Sequence, residues 1–168
     1  MDYSDQYEFI LKTFEMVKTE HLKNRTDNIV RNSPYSMAIN DAVFTVEEIE
    51  LYKQLNLSEA TITRTVLIAQ IDLDFVDPQG KTNLNRMLGG NPPIDPETNS
   101  VYVIHHIGQN FDSPFAEIPK YYHSMKYYSV LHKKHIDSWR ADRQLINLTN
   151  NEFAQHWRLR GVQYSDSE

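Results

Sequence analysis

The sequence predicts an α+β fold, because helical and strand patterns occupy different parts of the chain. Near the N-terminus, apolar residues recur every three or four positions, which is typical of an amphipathic helix. Beyond residue 100, two short strand candidates flank a looped connection, which is typical of a β-hairpin. We therefore expect a mostly helical N-terminal part, followed by a strand, strand, helix arrangement.

The N-terminal part contains two predicted helices. The first begins at Ser4, repeats apolar residues to about His21, and is expected to end in the polar segment 23–28. The second begins at Thr45, because Thr45–Glu48 has the pattern of a capping box. The β-branched run 62–75 fits either a helix or a strand, and periodicity alone does not decide between them.

The middle of the chain is rich in turn signals. Residues 77–83 have turn chemistry, and a short helix over Leu84–Leu88 is expected to stop at Gly89. Segment 91–100 follows with three prolines, which predicts a rigid loop without regular structure.

The C-terminal part begins with the hairpin. Its strands are predicted at Val101–His106 and Phe115–Ile118, and Pro119 is expected to start a helix. A second capping box at Thr149–Glu152 predicts the start of the last helix, with Gly161 as its stop.

Length and composition limit the chemistry. A chain of 168 residues can bury a substantial core as one domain, or as one domain with an extension. With no cysteine, disulfides and thiolate metal sites are excluded, so His, Asp and Glu remain as metal ligands. No stretch is long and apolar enough for a membrane span, and the acidic start does not have the pattern of a signal peptide. We expect a cytoplasmic protein without a membrane partner, unless the chain is the delivered domain of a larger secreted toxin.

The net charge of −6 hides an uneven distribution. Residues 1–100 carry 9 Lys and Arg against 16 Asp and Glu, whereas residues 120–160 carry 8 against 3. We therefore divide the chain into an acidic, mainly helical region at 1–75, of unknown role, and a second region at 76–168 that contains the basic segment 120–160. A basic surface is what a nucleic-acid phosphate backbone requires.

Five histidines lie within 31 residues, at positions 105, 106, 123, 132 and 135. Adjacent side chains on a strand point to opposite faces, so His105 and His106 suit two different tasks. One neutral imidazole can bind a divalent cation while its neighbour accepts a proton from water. His132, alone or with His135, is a candidate further ligand.

These residues belong to an ordered series of motifs. The series consists of GKTNLNRMLGGNPPI at 80–94, IHHIGQ at 104–109, SPFAEI at 113–118, His123, VLH at 130–132 and FAQHWRLR at 153–160. It resembles the LHH group of the HNH nuclease superfamily, the endonuclease VII-like nucleases common among bacterial polymorphic toxins. The resemblance covers about half of the chain. Ile104 stands where the group has its name-giving leucine, and LHKKH at 131–135 replaces the usual Leu-His-Pro.

The resemblance implies a ββα-metal (His-Me finger) nuclease core with a mostly helical N-terminal extension. It implies that His105 and His132 bind one divalent ion, Mg²⁺, Mn²⁺, Ni²⁺ or Zn²⁺, and that His106 is the general base. His123 matches the middle position of the family motif, where a residue steadies the loop that carries the base; in His-rich members this residue can approach the metal instead. His135 is an additional candidate ligand.

The function expected from this resemblance is metal-dependent hydrolysis of DNA with little sequence selectivity, by a bacterial toxin or an antiphage-defence effector. An immunity protein or a defence-system protein is the expected partner. The candidate phosphate contacts are Arg86, Lys126, Lys133, Lys134, Arg140, Arg143, Arg158 and Arg160. Two alternatives remain open: an RNA-directed nuclease, and a non-catalytic module in which the histidines hold a structural zinc ion and the surface binds nucleic acid or protein.

Overall fold

The computed structural model describes residues 3–132 and 139–167, and the side chains of all of these except residues 18–26. Six α-helices, five strands, a π-helical turn and a 3-10 turn are found in these ranges. The helices are α1 (Tyr3–Asn32), α2 (Met37–Ala42), α3 (Val46–Gln54), α4 (Asn83–Leu88), α5 (Tyr128–Leu131) and α6 (Arg143–Asp166). The strands are β1 (Ser58–Thr61), β2 (Thr65–Ile68), β3 (Ile94–Asp95), β4 (Ser100–His106) and β5 (Phe115–Pro119), and the two turns are Tyr122–Lys126 and Trp139–Ala141.

The five strands form one mixed sheet in the order β1-β2-β5-β4-β3, so the predicted α+β class is confirmed. β4 and β5 pair antiparallel as the predicted hairpin, with His105 opposite Ala116 and His106 opposite Phe115. β2 pairs parallel with β5, through Val66 opposite Phe115. The hairpin is therefore held between strands on both sides.

Two helical layers cover the hairpin. On the His106 face, α6 packs against the sheet, with Phe153 in ring contact with Phe115. On the same face, Glu117 is opposite Ile104 and bonds to α6. On the opposite face lie α3 and α5. The two histidines of the pair consequently meet different surroundings.

The hydrophobic core crosses the boundary predicted after residue 75. Buried residues of the first part, among them Ile49 and Tyr52, belong to the same cluster as Ile107, Phe115 and Trp157. The strand pairing of β2 with β5 also spans this position. In the structure, neither the sheet nor the core breaks there.

The first helix is longer than predicted. α1 continues through the polar segment to Asn32, because no proline or glycine interrupts it before Pro34. Ile29, near its end, is buried in the core, whereas Tyr7, Ile10, Phe14 and Val17 are all more than 60% exposed. The apolar face that the periodicity predicted is thus present, but within the described residues it is not covered.

The short elements around the hairpin differ from prediction in two places. Ile94–Asp95 forms a strand with β4, although the three prolines predicted a loop. Pro93 does not prevent this pairing, because it takes part through its carbonyl oxygen, which accepts a hydrogen bond from the Tyr102 amide, and the N–H that proline lacks is not needed. Pro119 ends β5 instead of starting a helix, and the chain then makes the π-helical turn Tyr122–Lys126.

The last helix begins earlier and ends later than predicted. Its cap is Asp142, whose carboxylate accepts bonds from the Gln144 and Leu145 amides. Thr149 is buried inside the helix, so its capping-box pattern does not mark a start. Gly161 is also internal: a Cβ there would lie 3.0 Å from the Leu88 amide nitrogen, so glycine permits close packing of α6 on α4.

Two further predictions of local structure, the cap of α3 and the end of α4, are confirmed. Thr45 caps α3 by accepting a bond from the Glu48 amide at 3.4 Å. The run 62–75 contributes strand β2 and no helix. α4 ends at Gly89 as predicted. Among the described residues, no helix combines the length and apolar character needed to cross a membrane.

Candidate metal centre and active site

The histidine pair at the end of β4 is divided between the two faces of the sheet. His105 and His106 are 2% and 3% exposed, so both imidazoles are inside the protein. His105 points to the face covered by α3 and α5, and His106 to the face covered by α6. The alternation of side chains along a strand is sufficient to explain this arrangement, and no bulge is needed.

Three histidines meet on the His105 face. His105 comes from β4, His123 from the π-helical turn and His132 from the residue after α5, and their candidate ligand atoms all lie within 4.8 Å of one another. The closest pair is His105 Nδ1 and His123 Nε2, at 3.2 Å. The hairpin and the turn that follows it therefore bring together residues up to 27 positions apart in the sequence.

The protonation of these histidines suits metal binding, because a ligating imidazole must be neutral. Burial lowers the pKa of His105 to about 3 and the pKa of His123 to about 3. The Nδ1 of His132 lies 2.9 Å from the Tyr128 carbonyl oxygen. Since a carbonyl only accepts, this nitrogen carries a proton, so that the lone pair of the neutral ring is on Nε2.

The cluster fits a divalent ion on a further geometric observation. Two nitrogens bound at about 2.1 Å to one tetrahedral ion are separated by roughly 3.4 Å, close to the 3.2 Å between His105 and His123. The other ring nitrogen of His105, Nε2, lies on the side of the ring away from His123, is buried and has no hydrogen-bond partner among the described residues. A buried polar atom of this kind requires a physical explanation, since most such atoms are paired.

A carboxylate lies behind the cluster. Glu48 of α3 is 1% exposed, and its Oε1 is 3.8 Å from His105 Nε2. Burial raises the pKa of Glu48 to about 7, an effect that the hydrogen bonds from Tyr52 and Phe44 partly offset. Glu48 is thus the nearest acidic group to the three histidines in the described structure.

His106 occupies a different environment. Its ring contacts those of Phe115, Trp139 and Phe153, with centroid distances of 4.9, 4.8 and 5.7 Å. Burial, followed by the positive charge of Arg64, lowers the pKa of His106 to about 3, so the ring is neutral at pH 7. Its Nε2 is buried without a hydrogen-bond partner in the described residues.

A cavity of about 320 Å³ connects the two histidine groups. His106 and His123 both line it, and Trp139 and Arg140 lie at its wall together with residues of α6. The cavity has room for several water molecules, each of which takes about 30 Å³ in the liquid. A neutral proton acceptor and a member of the three-histidine cluster therefore border the same space.

Comparison with protein families matches residues 82–163 to LHH, described as a nuclease of the HNH/ENDO VII superfamily with conserved LHH. This segment belongs to the LHH family. No curated protein and no solved structure matched the chain. The predicted resemblance is thereby confirmed, and the LHH domain is a nuclease whose substrate is nucleic acid.

The loop that follows the histidine pair in the LHH domain is fixed by Arg64, which lies outside the matched segment. Its guanidinium donates to the carbonyl oxygens of Phe111 and Ser113, at 2.8 and 3.0 Å. It also pairs with Glu152 of α6 and lies 4.1 Å above the Phe115 ring. Arg64 consequently ties β2, the hairpin loop and α6 together next to His106.

Two of the predicted phosphate contacts have structural roles in the LHH domain. Arg160 is 2% exposed and bonds to Glu117 and to the Ala69 carbonyl oxygen. Arg86 pairs with Asp77 at 2.7 Å and donates to the Pro92 carbonyl oxygen. The structure supports a bracing role for both: Arg160 is too deeply buried for the predicted contact with nucleic acid, whereas the predicted contact of Arg86 stays a prediction.

Other predicted basic contacts of the LHH domain remain on the surface. Lys126, Arg140, Arg143 and Arg158 are exposed. Lys133, Lys134 and His135 lie outside the described residues, so their predicted roles stay predictions.

Three side chains around the LHH site were not predicted from the sequence: Glu48, Arg64 and the ring of Trp139 over His106. The capping box marked Glu48 as a helix-start residue and gave no sign of its burial. Arg64 lies in the run 62–75, where periodicity does not decide between helix and strand, and no local pattern indicates that Trp139 contacts His106. Only their tertiary contacts identify them as parts of the site.

Proposed function

We propose that the protein is a divalent-metal-dependent endonuclease that hydrolyses phosphodiester bonds of DNA with little sequence selectivity. The observation that carries this proposal is the division of the LHH histidines into two sets. Three of them converge at one point, while the neutral, unpaired His106 lies on the other face of the strand and borders the same cavity.

His105, His123 and His132 are the residues that would hold the ion. A divalent ion in this position supplies electrostatic stabilisation of the charge that develops on the phosphate and on the leaving oxygen. This assignment moves His123 from the predicted support of the base to the metal cluster, on the strength of its 3.2 Å contact with His105. His135 stays a predicted additional ligand.

His106 is proposed as the general base. Its ring is held by three aromatic neighbours, which restrict its rotation, and its neutral state leaves a lone pair for a proton. In the proposed reaction His106 takes a proton from a water molecule in the cavity, the resulting hydroxide attacks phosphorus, and the bond from phosphorus to the 3′ oxygen breaks; the departing 3′ oxygen is then protonated by solvent water. A positioned base of this kind contributes roughly 10²- to 10⁴-fold to the rate.

The exposed basic residues of the C-terminal region are proposed to bind the phosphate backbone. Lys126 and Arg158 are exposed, and contacts of this type carry no sequence information. Low sequence selectivity follows from binding of this kind.

The biological role that we propose is that of a bacterial toxin or an antiphage-defence effector acting on DNA in the cytoplasm of the target cell. The support is the resemblance to LHH nucleases of polymorphic toxins. An immunity protein or a defence-system protein is the partner that such a role requires.

A plasmid cleavage assay tests the proposal. Supercoiled plasmid is incubated with the protein in Mg²⁺, Mn²⁺, Ni²⁺ or Zn²⁺, with EDTA as control, and single-stranded RNA is offered in parallel. We expect nicking and linearisation of the plasmid that EDTA abolishes and His106→Ala reduces strongly. Absence of cleavage with all four metals, together with tightly retained zinc, would instead support the structural-zinc module. Cleavage of RNA but not of the plasmid would show that the protein is an RNA-directed nuclease.

A further inference from the structure

The face of His105 that points away from the other histidines meets a buried acid from another part of the chain. Glu48 lies on α3, before the segment that matches LHH, and its Oε1 is 3.8 Å from His105 Nε2. Both residues are almost completely buried, at 1% and 2% exposure. Their approach is therefore a feature of the packed interior.

Glu48 is held in place from two directions. The Tyr52 hydroxyl donates to Oε1 at 2.6 Å, and the Phe44 amide donates to Oε2 at 3.4 Å. Its own amide is fixed in the first turn of α3 by the Thr45 side chain. The position of the Glu48 carboxylate is thus fixed by contacts other than the one with His105.

The two ring nitrogens of His105 have different surroundings, which indicates where its proton lies. This nitrogen is buried and has no hydrogen-bond partner among the described residues, whereas Nδ1 faces His123 at 3.2 Å. A neutral imidazole has one N–H donor and one lone pair. If Nδ1 supplies the lone pair to an ion, the proton must be on Nε2, on the side of Glu48.

We propose that Glu48 is a positioning residue of the metal centre: it accepts the Nε2–H of His105 and so keeps Nδ1 available to bind the ion. This inference rests on the proposed function, because it takes His105 as a metal ligand. The separation of 3.8 Å is longer than a hydrogen bond, so a small shift of either side chain would complete the contact.

The physical basis is the coupling between a ligating imidazole and the acceptor behind it. A carboxylate that accepts the second ring N–H fixes the tautomer and the orientation of the ring, and it makes the ligating nitrogen more basic. Loss of such an acceptor typically weakens metal binding about 10- to 100-fold. In this protein the acceptor is supplied by α3, so the N-terminal region completes a centre whose histidines all lie in the matched segment.

The test combines two measurements on the full-length wild type, on Glu48→Gln and on Glu47→Gln. Glu47 precedes Glu48 on the same helix and is exposed, which makes its variant a matched control. The tautomer of His105 is read from ¹H–¹⁵N correlation spectra of the imidazoles, in metal-free protein in mildly alkaline buffer. Affinity for Mn²⁺ and Zn²⁺ is measured by calorimetric titration, and the thermal midpoint of the metal-free protein reports folding.

We expect His105 of the wild type to carry its proton on Nε2. Glu48→Gln should reduce the population of this tautomer and weaken metal binding about 10- to 100-fold, with a thermal midpoint close to that of the wild type. Glu47→Gln should leave all three measurements unchanged. The inference is overturned if His105 carries its proton on Nδ1, or if Glu48→Gln changes the thermal midpoint while the tautomer and the affinity stay as in the wild type.

The tautomer measurement needs no metal, so it separates this inference from the proposed function. A wild type that neither binds metal nor cuts DNA refutes the proposed nuclease mechanism. In that case, proton placement on Nε2 and its dependence on Glu48 still decide whether Glu48 positions His105.

Discussion

Gly108 packs directly against the carbonyl oxygen of Ala42, so closely that a Cβ at position 108 would lie 2.5 Å from that oxygen. The glycine comes two residues after His106, and its φ of +79° lies in the left-handed region. A side chain is therefore opposed both by the backbone conformation and by α2. This contact fixes the start of the hairpin loop against the N-terminal region.

We expect Gly108→Ala to destabilise the protein by about 2–4 kcal/mol, since strain of the left-handed backbone costs about 1–2 kcal/mol and the overlap with Ala42 adds to it. Urea unfolding measures the change. Gly80→Ala is the matched control, because Gly80 also has a positive φ, +86°, but a Cβ there meets nothing within 4 Å. Equal effects of the two substitutions would show that the contact with Ala42 is unimportant.

The two histidine sets should separate metal binding from catalysis. We expect His123→Ala to weaken binding of Mn²⁺ strongly, because it removes one of three converging ligands, and to abolish cleavage with it. His106→Ala should retain the metal affinity of the wild type and lose roughly 10²- to 10⁴-fold in cleavage rate. Calorimetric titration and plasmid nicking are the measurements. Loss of metal affinity in His106→Ala would contradict the division of roles.

The sequence predicted the hairpin and its histidines because the relevant signals are local. Strand propensity, turn residues and the order of the motifs all lie within a few dozen positions of one another. The contact between Glu48 and His105 could not be predicted from such local signals, since it joins residues 57 positions apart. Neither the charge of Glu48 nor its place in the capping box indicates that Glu48 is buried while Glu47 is exposed.

The buried pair of Arg160 and Glu117 should be important for stability. Glu117 accepts bonds from Arg160, from His156 at 2.7 Å and from the Ala69 amide at 2.9 Å. Arg160→Met leaves the carboxylate buried without its cation, which typically costs about 3–5 kcal/mol. Urea unfolding tests this, and adding Glu117→Gln to the variant should recover part of the loss. A change below about 1 kcal/mol would contradict the buried-pair interpretation.

Arg158 should contribute to the binding of DNA and not to folding, because its side chain is exposed on α6. We expect Arg158→Gln to weaken binding of unrelated DNA duplexes to a similar extent. The slope of log affinity against log salt should fall by about 1 for the lost phosphate contact. Lys12→Gln, at an exposed position of α1, is the control and should bind as the wild type does. Fluorescence anisotropy at several salt concentrations measures both; an unchanged slope in Arg158→Gln would remove this residue from the interface.

Asp77 should contribute to the stability of the protein in acid. The amide of Lys81, the guanidinium of Arg86 and the amide of Gln79 hold the pKa of Asp77 below its ordinary value. Because the pKa is lower in the folded protein, the stabilisation is complete above the ordinary Asp pKa and is lost as the pH falls through the folded value. Asp77→Asn should therefore lower the thermal midpoint at neutral pH and flatten its decline in acid. Asp74→Asn, at an exposed position, should leave the pH profile as it is.

In the last helix, the sequence does not distinguish exposed charged residues from buried ones. Arg158 and Arg160 are two positions apart in the same motif, yet one is exposed and the other is buried beside Glu117. The start of α6 was also misjudged, since Thr149 repeats a capping pattern while Asp142 caps the helix. In both cases the deciding interaction is made with a part of the chain that a local pattern does not include.

The cavity beside His106 is closed by α6, whose residues Ile146, Thr149, Asn150 and Phe153 form much of its wall. During synthesis the histidine pair leaves the ribosome well before these residues do. A nascent or truncated chain that ends before residue 146 has both histidines and the hairpin sequence, but it lacks the wall that encloses the base. The cavity beside His106 is thus completed only after residues 146–153 have been synthesised and have folded onto the hairpin.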